Sequence, residues 1–158
     1  MTDESATSPA QAPTEPGRLF RRGHAAGDFL EAWDWDLLDQ NDGFLRVSAH
    51  VPDRARNPRG QLFGGFTPTY VDLIALATAR RWAERNASAG RLWLATTNIH
   101  VDYFKPIVGP RFIMEARHET RSGRTHLVLT RFLQDGELAV HAAATMREQV
   151  LAPDLPAG

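Results

Sequence analysis

A chain of 158 residues, 42% hydrophobic and 23% charged, is long enough for one domain with a sizeable core. Its formal net charge of -1, with scattered arginines, provides no field for drawing in nucleic acid or an anionic membrane. The absence of cysteine excludes disulfides, thiolate zinc sites and cysteine nucleophiles together.

Residues 1–17 carry Ser, Thr, Ala and Pro with no large apolar side chain after Met1, and are expected to be a disordered tail. Asp3 and Glu4 stand where a signal peptide needs a basic start. No window reaches the run of about 18 apolar residues that spans a bilayer. These features predict a cytoplasmic protein. The ordered domain is expected over 18–150, with 151–158 a second tail.

From Gly27, the residues Phe29, Leu30, Trp33, Leu37 and Leu38 recur at roughly helical spacing. Asp28 is the N-cap expected for a short helix or turn, with Glu31 three residues on, and Asn41-Asp42-Gly43 ends it. The stretch 44–51 alternates, with Leu45, Val47, Ala49 and Val51 on one face of a half-buried strand that Pro52 stops. The loop from Pro52 to Gly65 holds two prolines, three glycines and three arginines, long enough to suggest a functional loop. Thr67 then reads as an N-cap and Pro68 as the first helical residue. The helix runs past Trp82, apolar on all sides of its first turns except for one charge, Asp72.

After a turn at 86–90, the stretch 91–104 is the longest strand candidate. Simple alternation puts Trp93, Ala95, Thr97, Ile99, Val101 and Tyr103 on its apolar face, with Leu94, Thr96, Asn98, His100 and Asp102 opposite. Three more strands follow, with turns at Arg121-Ser-Gly-Arg124 and Asp135-Gly136. A leading helix, a strand, a long loop, a central helix and four meandering strands describe an α+β domain with an antiparallel sheet.

Several of these residues stand in a recognisable order. Asn57 precedes Phe63-Gly64-Gly65; Asp72 follows Gly64 by eight residues; Thr96 lies in the long strand, which closes on Tyr103-Phe104-Lys105-Pro106. In this, residues 44 to 148 resemble the hotdog-fold acyl-CoA thioesterases of the phenylacetic-acid-pathway and hydroxybenzoyl-CoA type, in which an antiparallel sheet wraps one long helix. One position departs: Phe63 stands where that family usually has His before Gly-Gly.

The resemblance implies an acyl-CoA substrate, no cofactor, and homodimers or homotetramers with each active site between subunits. Asn57 of one chain would then face Asp72 of its neighbour. It implies Gly64 N–H as the donor to the thioester carbonyl, with Asp72 as general base or direct nucleophile. Asn57 and Thr96 would position the water or carboxylate. An Asn before Pro is by itself a turn former, and alternation favours Thr97 over Thr96 for the inward position. Phe63, Gly65 and, with Phe66, Tyr70 would wall the acyl group. Arg121 and Arg124 are candidates for CoA phosphates, although solvated hairpin arginines are the commoner explanation.

The six histidines show no HxxxH or HExxH spacing, so no metal is expected, and no GxSxG elbow occurs. Two rivals are an acyl-thioester dehydratase or hydratase, which needs the His that Phe63 replaces, and a non-catalytic acyl-CoA binder, which has no use for Asp72.

Overall fold

A computed structural model describes residues 18–86 and 92–150. The segments 1–17 and 151–158 and the turn expected at 87–90 lie outside the described residues.

The expected leading helix is only five residues long. α1 spans Ala25–Phe29 and is capped by His24, whose Nδ1 accepts from Gly27 N–H at 3.2 Å. Asp28 is therefore not the N-cap; its carboxylate accepts from Gly23 N–H instead. The helix cannot continue because Glu31 takes a left-handed backbone (φ 53), after which Ala32–Asp34 form a single 3-10 turn. Leu37 and Leu38 then lie in a strand, β1 (Asp36–Asn41), with Leu38 pointing to solvent. Their spacing from Trp33 suggested a helix, but pairing with the next strand decides otherwise. The Asn41-Asp42-Gly43 turn joins β1 to β2 (Phe44–His50), an antiparallel hairpin. Gly43 is required there twice over: its φ is +73, and a Cβ would meet Trp82 Cδ1 at 3.2 Å.

β2 buries Leu45, Val47 and Ala49, as its alternation predicts. The central helix α2 runs Thr67–Asn86. Thr67 has helical dihedrals (φ -53, ψ -45), so it opens the helix rather than capping it; the chain enters through a 3-10 turn at Gly64–Phe66. The remaining strands are β3 (Leu92–Tyr103), β4 (Arg111–Ser122), β5 (Thr125–Gln134) and β6 (Glu137–Val150). All pairings are antiparallel in the order β1-β2-β4-β5-β6-β3, so β3, the first strand after α2, closes the far edge.

α2 packs against β2, β3, β4, β5 and β6. It buries Tyr70, Val71, Leu73, Ile74, Ala75, Ala79 and Ala83, while the strip Thr69, Asp72 and Leu76 stays half-open. Burial all round therefore does not hold: the strip that carries Asp72 is half-open in the first turns, and Arg80, Glu84, Arg85 and Asn86 are exposed at the far end. Small residues on β6, among them Ala142 and Ala144, are fully buried beneath it.

Tyr70 anchors the core. Its ring stacks on Trp35 (5.3 Å, 8° between planes) and meets Phe112 and Phe132 edge-on. Its hydroxyl donates to His50 O at 2.9 Å, and burial pushes the phenol above its ordinary range, so it stays protonated. We expect Tyr70→Ala to cost about 3–5 kcal/mol and Tyr70→Phe about 1 kcal/mol, the second for the lost hydrogen bond alone. Urea midpoints of the two variants check both.

The C-terminal half of α2 meets a polar chain. Trp82 stacks on His118 (4.0 Å, 9°), whose Nε2 lies 2.9 Å from Nδ1 of the fully buried His126. His126 Nε2 is 2.8 Å from Glu148 Oε1, and Arg121 grips both oxygens of that carboxylate at 2.8 and 3.0 Å. Because the carboxylate only accepts, His126 carries its proton on Nε2 and accepts from His118 on Nδ1. Burial, then the neighbouring His126, push the His118 imidazole down to about 4, against the opposing pull of Asp42. The Arg121 hydrogen bond holds Glu148 below its usual range.

Both shifts act in one direction. The unfolded chain takes up the His118 proton first, so stability falls as pH drops through 6.5 and keeps falling to about 4. Protonation of Glu148 removes more as pH falls below its ordinary value of 4.5. Urea midpoints measured across this window should decline, and His118→Gln should flatten the upper part of the decline.

Candidate active site

The loop after β2 is held from inside. Asn57 Oδ1 accepts from the backbone N–H of Arg59 (2.9 Å) and Gln61 (3.1 Å), and its Nδ2 donates to Gln61 Oε1. Within the chain, then, Asn57 is the turn former that its sequence context suggested. Arg56 pins the loop to its neighbours: one terminal nitrogen donates to Gly60 O and Val108 O, the other to Val51 O. Nothing in the sequence singles out Arg56 from the two arginines beside it; its role exists only once the 107–109 segment is folded alongside.

The loop ends at Phe63, whose N–H donates to Ala55 O at 2.8 Å, and passes into the 3-10 turn. Gly64 O accepts from Thr67 N–H and from the Tyr103 hydroxyl (2.7 Å). Gly64 N–H has no acceptor among the described residues and lies at the exposed start of the turn that feeds α2. Such a donor, near the positive end of a helix, is suited to an incoming carbonyl oxygen. Tyr103 was legible only as part of the strand-closing motif; its hydroxyl fixing the Gly64 peptide was not.

Gly65 is explained by Phe63. A Cβ on Gly65 would sit 2.6 Å from Phe63 Cε1, so the aromatic ring lies where any side chain would go. Phe63 is half exposed and meets Phe66 at 5.5 Å. Tyr70, by contrast, is fully buried in the core and is no part of an acyl-facing wall.

Asp72 lies in the second turn of α2, half-buried, and its Oδ1 accepts a hydrogen bond from Thr96 Oγ1. The alternation reading placed Thr96 on the wrong face. β3 carries a bulge between Thr96 and Asn98: Thr96 pairs with Met146 and Asn98 with Thr145, leaving Thr97 as the extra residue. Leu94 and Thr96 therefore face the helix before the bulge, and Ile99 and Val101 after it; Trp93 and Tyr103 are exposed. Simple period-two counting fails at that one residue.

Two pairs thus form within the chain, Gly64 with Tyr103 and Asp72 with Thr96. Gly64 and Asp72 are eight residues apart, Gly64 at the head of the 3-10 turn and Asp72 in the second turn of α2. Arg121 and Arg124 lie at the β4–β5 hairpin. Arg121 is committed to Glu148, and Arg124, exposed, is engaged in a backbone bond from Glu148 N–H.

The profile of the thioesterase superfamily matches residues 59–140, just over half the chain and both of these pairs. The chain belongs to the thioesterase superfamily. The thioesterase shares its fold with a phenylacetic acid degradation-related protein of Ralstonia eutropha JMP134 (24% identity, TM-score 0.65, 78% of this chain and 89% of that one). A thioesterase from Haemophilus influenzae superposes with a TM-score of 0.67 at 12% identity, covering 78% and 82% of the two chains. A hypothetical thioesterase from Streptococcus pneumoniae TIGR4, solved with coenzyme A, does so with 0.63 at 18% identity, covering 73% and 88%. No curated protein matches the chain. The hotdog arrangement of one long helix against an antiparallel sheet is therefore this enzyme's fold, and hydrolysis of an acyl thioester its reaction class. No described helix is long and apolar enough to cross a membrane.

The contact between Gly65 and Phe63 has a measurable consequence. Gly65→Ala should swing the exposed Phe63 ring off Phe66 at a cost below about 1.5 kcal/mol. In a Phe63→Ala background the same change should cost nothing in urea unfolding.

Proposed function

We propose that this thioesterase hydrolyses acyl-CoA at a site built from two protomers, with Gly64 of one and Asp72 of the other facing a single thioester. The observation that carries this reading is that Gly64 and Asp72 stand eight residues apart on successive turns, each tied to its own partner on β3. Chemistry at one carbonyl needs the donor and the attacking oxygen each within about 3–3.5 Å of it, and eight residues at a helical rise of about 1.5–2 Å each put the two too far apart within one chain. The edge strand β3 supports the same reading, because it leaves one row of backbone groups unpaired, and exposed Trp93, Tyr103, Phe104 and Phe63 are available to a second copy.

In this arrangement the Gly64 N–H takes the developing charge on the carbonyl oxygen, a contribution of about 3 kcal/mol. Either Asp72 takes a proton from water as the water oxygen bonds the carbonyl carbon, the C–S bond breaks and that proton passes to the departing CoA sulfur; or Asp72 itself bonds the carbonyl carbon and expels CoA thiolate, and water then cleaves the mixed anhydride to free acid and Asp72, its proton going to the thiolate. Thr96 holds the carboxylate in place, and Asn57 from the neighbouring chain faces it. Phe63 and Gly65 border the acyl group, and the enzyme draws on a cytoplasmic acyl-CoA pool. The coenzyme A bound to the Streptococcus pneumoniae relative is consistent with CoA as the carrier.

Asp72→Asn should lower kcat for thiol release from acyl-CoA by about 10²–10⁴-fold with the fold intact. Thr96→Val, which removes one hydrogen bond to Asp72, should lower it about tenfold. Equal rates for wild type and Asp72→Asn over short, long and aryl acyl-CoAs would sink the mechanism. Light scattering on eluted protein should give a dimer or tetramer, and a monomer that still hydrolyses would overturn the shared site.

A further inference from the structure

The Gly64 peptide is connected to a part of the chain that lies outside the family match. Phe63 meets Phe66 at 5.5 Å and 66°, and Phe66 meets Phe29 of α1 at 5.0 Å and 53°. We propose that Phe29 is a positioning residue for the Gly64 donor, acting through Phe66 and Phe63; the proposal rests on the reading of Gly64 given above.

The Gly64-Gly65 pair has little of its own to define its peptide planes. Gly64 is held from outside the turn by the Tyr103 hydroxyl on its carbonyl, and the direction of its N–H follows from the Phe63–Gly64 peptide. Phe63 is anchored at its backbone by Ala55 O and at its ring by Phe66. Phe66 in turn rests against Phe29.

Phe29 itself is set with unusual care for a surface segment. The left-handed Glu31 turns the chain immediately after α1, and its carboxylate accepts from Arg54 at 2.6 Å while pairing with His50 Nε2 at 2.6 Å. The Arg54 guanidinium carbon lies 6.0 Å from the Phe29 ring centre. His24 and Asp28 fix the other end of α1. A residue in the left-handed region, tied to Arg54 by an ion pair and to His50 Nε2 by a second contact, fixes the turn that presents the Phe29 ring to Phe66. The family match, 59–140, contains Phe63 and Phe66 but not the residue that supports them.

The test compares full-length wild type, Phe29→Ala and Phe29→Tyr by hydrogen exchange and by thiol release from acyl-CoA. Phe29→Ala should speed exchange selectively at the Phe63, Phe66 and Thr67 amides, which bond Ala55 O, Phe63 O and Gly64 O. It should lower kcat roughly ten- to a hundredfold with KM changed little, because a misaimed donor weakens the transition state more than binding. Phe29→Tyr, which keeps the ring, should restore both readouts; Phe29→Leu replaces the alanine variant if that one does not fold. Exchange at 63–67 equal to wild type overturns the proposal whether or not the protein hydrolyses any thioester. Faster exchange spread evenly over the chain, or faster local exchange with unchanged kcat, overturns it as well. A wild type inactive on every acyl-CoA tried would refute the acyl-CoA reading separately, with the exchange result still deciding whether Phe29 orders the loop.

Discussion

Helix α2 must bury Tyr70, Val71, Ile74, Ala75 and Ala79 in the sheet, and this requirement fixes where Asp72, the one charge of its first three turns, can go. With those side chains inward, the strip bearing Thr69, Asp72 and Leu76 is the half-open one. A carboxylate turned fully into the core would lose several kcal/mol of solvation with no cation to offset it. On the half-open strip it needs only a donor, which Thr96 supplies. The rest of the molecule follows from this placement. The core aromatics Trp35, Tyr70, Phe112 and Phe132 hold the start of the helix against β2 and β4, and the stacked Trp82 and His118 hold its end.

The two ends of the helix are treated differently. At its start the polar groups are incompletely paired: Gly64 N–H has no acceptor among the described residues, and half-buried Asp72 accepts from Thr96 on one oxygen. At its far end, Glu148, His126 and His118 form a chain in which hydrogen bonds are made on both nitrogens of the buried imidazole. A satisfied buried network specifies a structure, while an unpaired donor and a half-open carboxylate are free to take a ligand. The contrast separates the three satisfied groups Glu148, His126 and His118 from the Asp72–Thr96 pair, which is the one proposed for chemistry.

Much of the fold was legible in the chain. The α+β arrangement, the strands of the second half, the turns at Gly123 and at Asp135-Gly136 and the position of the central helix follow from local pattern, because each depends on periodicity and turn chemistry. The segment 27–41 was misread. Its apolar spacing fits a helix as well as a hairpin strand, and pairing of β1 with β2 is a non-local event that overrides the pattern. The candidate site was half legible. Gly64 and Asp72 declare themselves, a flexible donor before a helix and a charge where apolar residues surround it. Asn57 declared a turn, which the structure shows, and the role of Arg121 ended in an ion pair with Glu148.

The sequence by itself determined which groups are available: a backbone donor at Gly64, a carboxylate at Asp72, a hydroxyl at Thr96, and an aromatic at Phe63 in place of a histidine. Only the tertiary structure decided which of them meet. One extra residue at Thr97 inverts the pleat of β3, and that inversion points Thr96 rather than Thr97 at Asp72. The same is true of Tyr103 on Gly64 and of Phe29 beneath Phe66, contacts between residues far apart in the chain. Local rules of spacing carry no term for such contacts, because a bulge and a cross-strand hydrogen bond are set by the partner strand and not by the residues that make them.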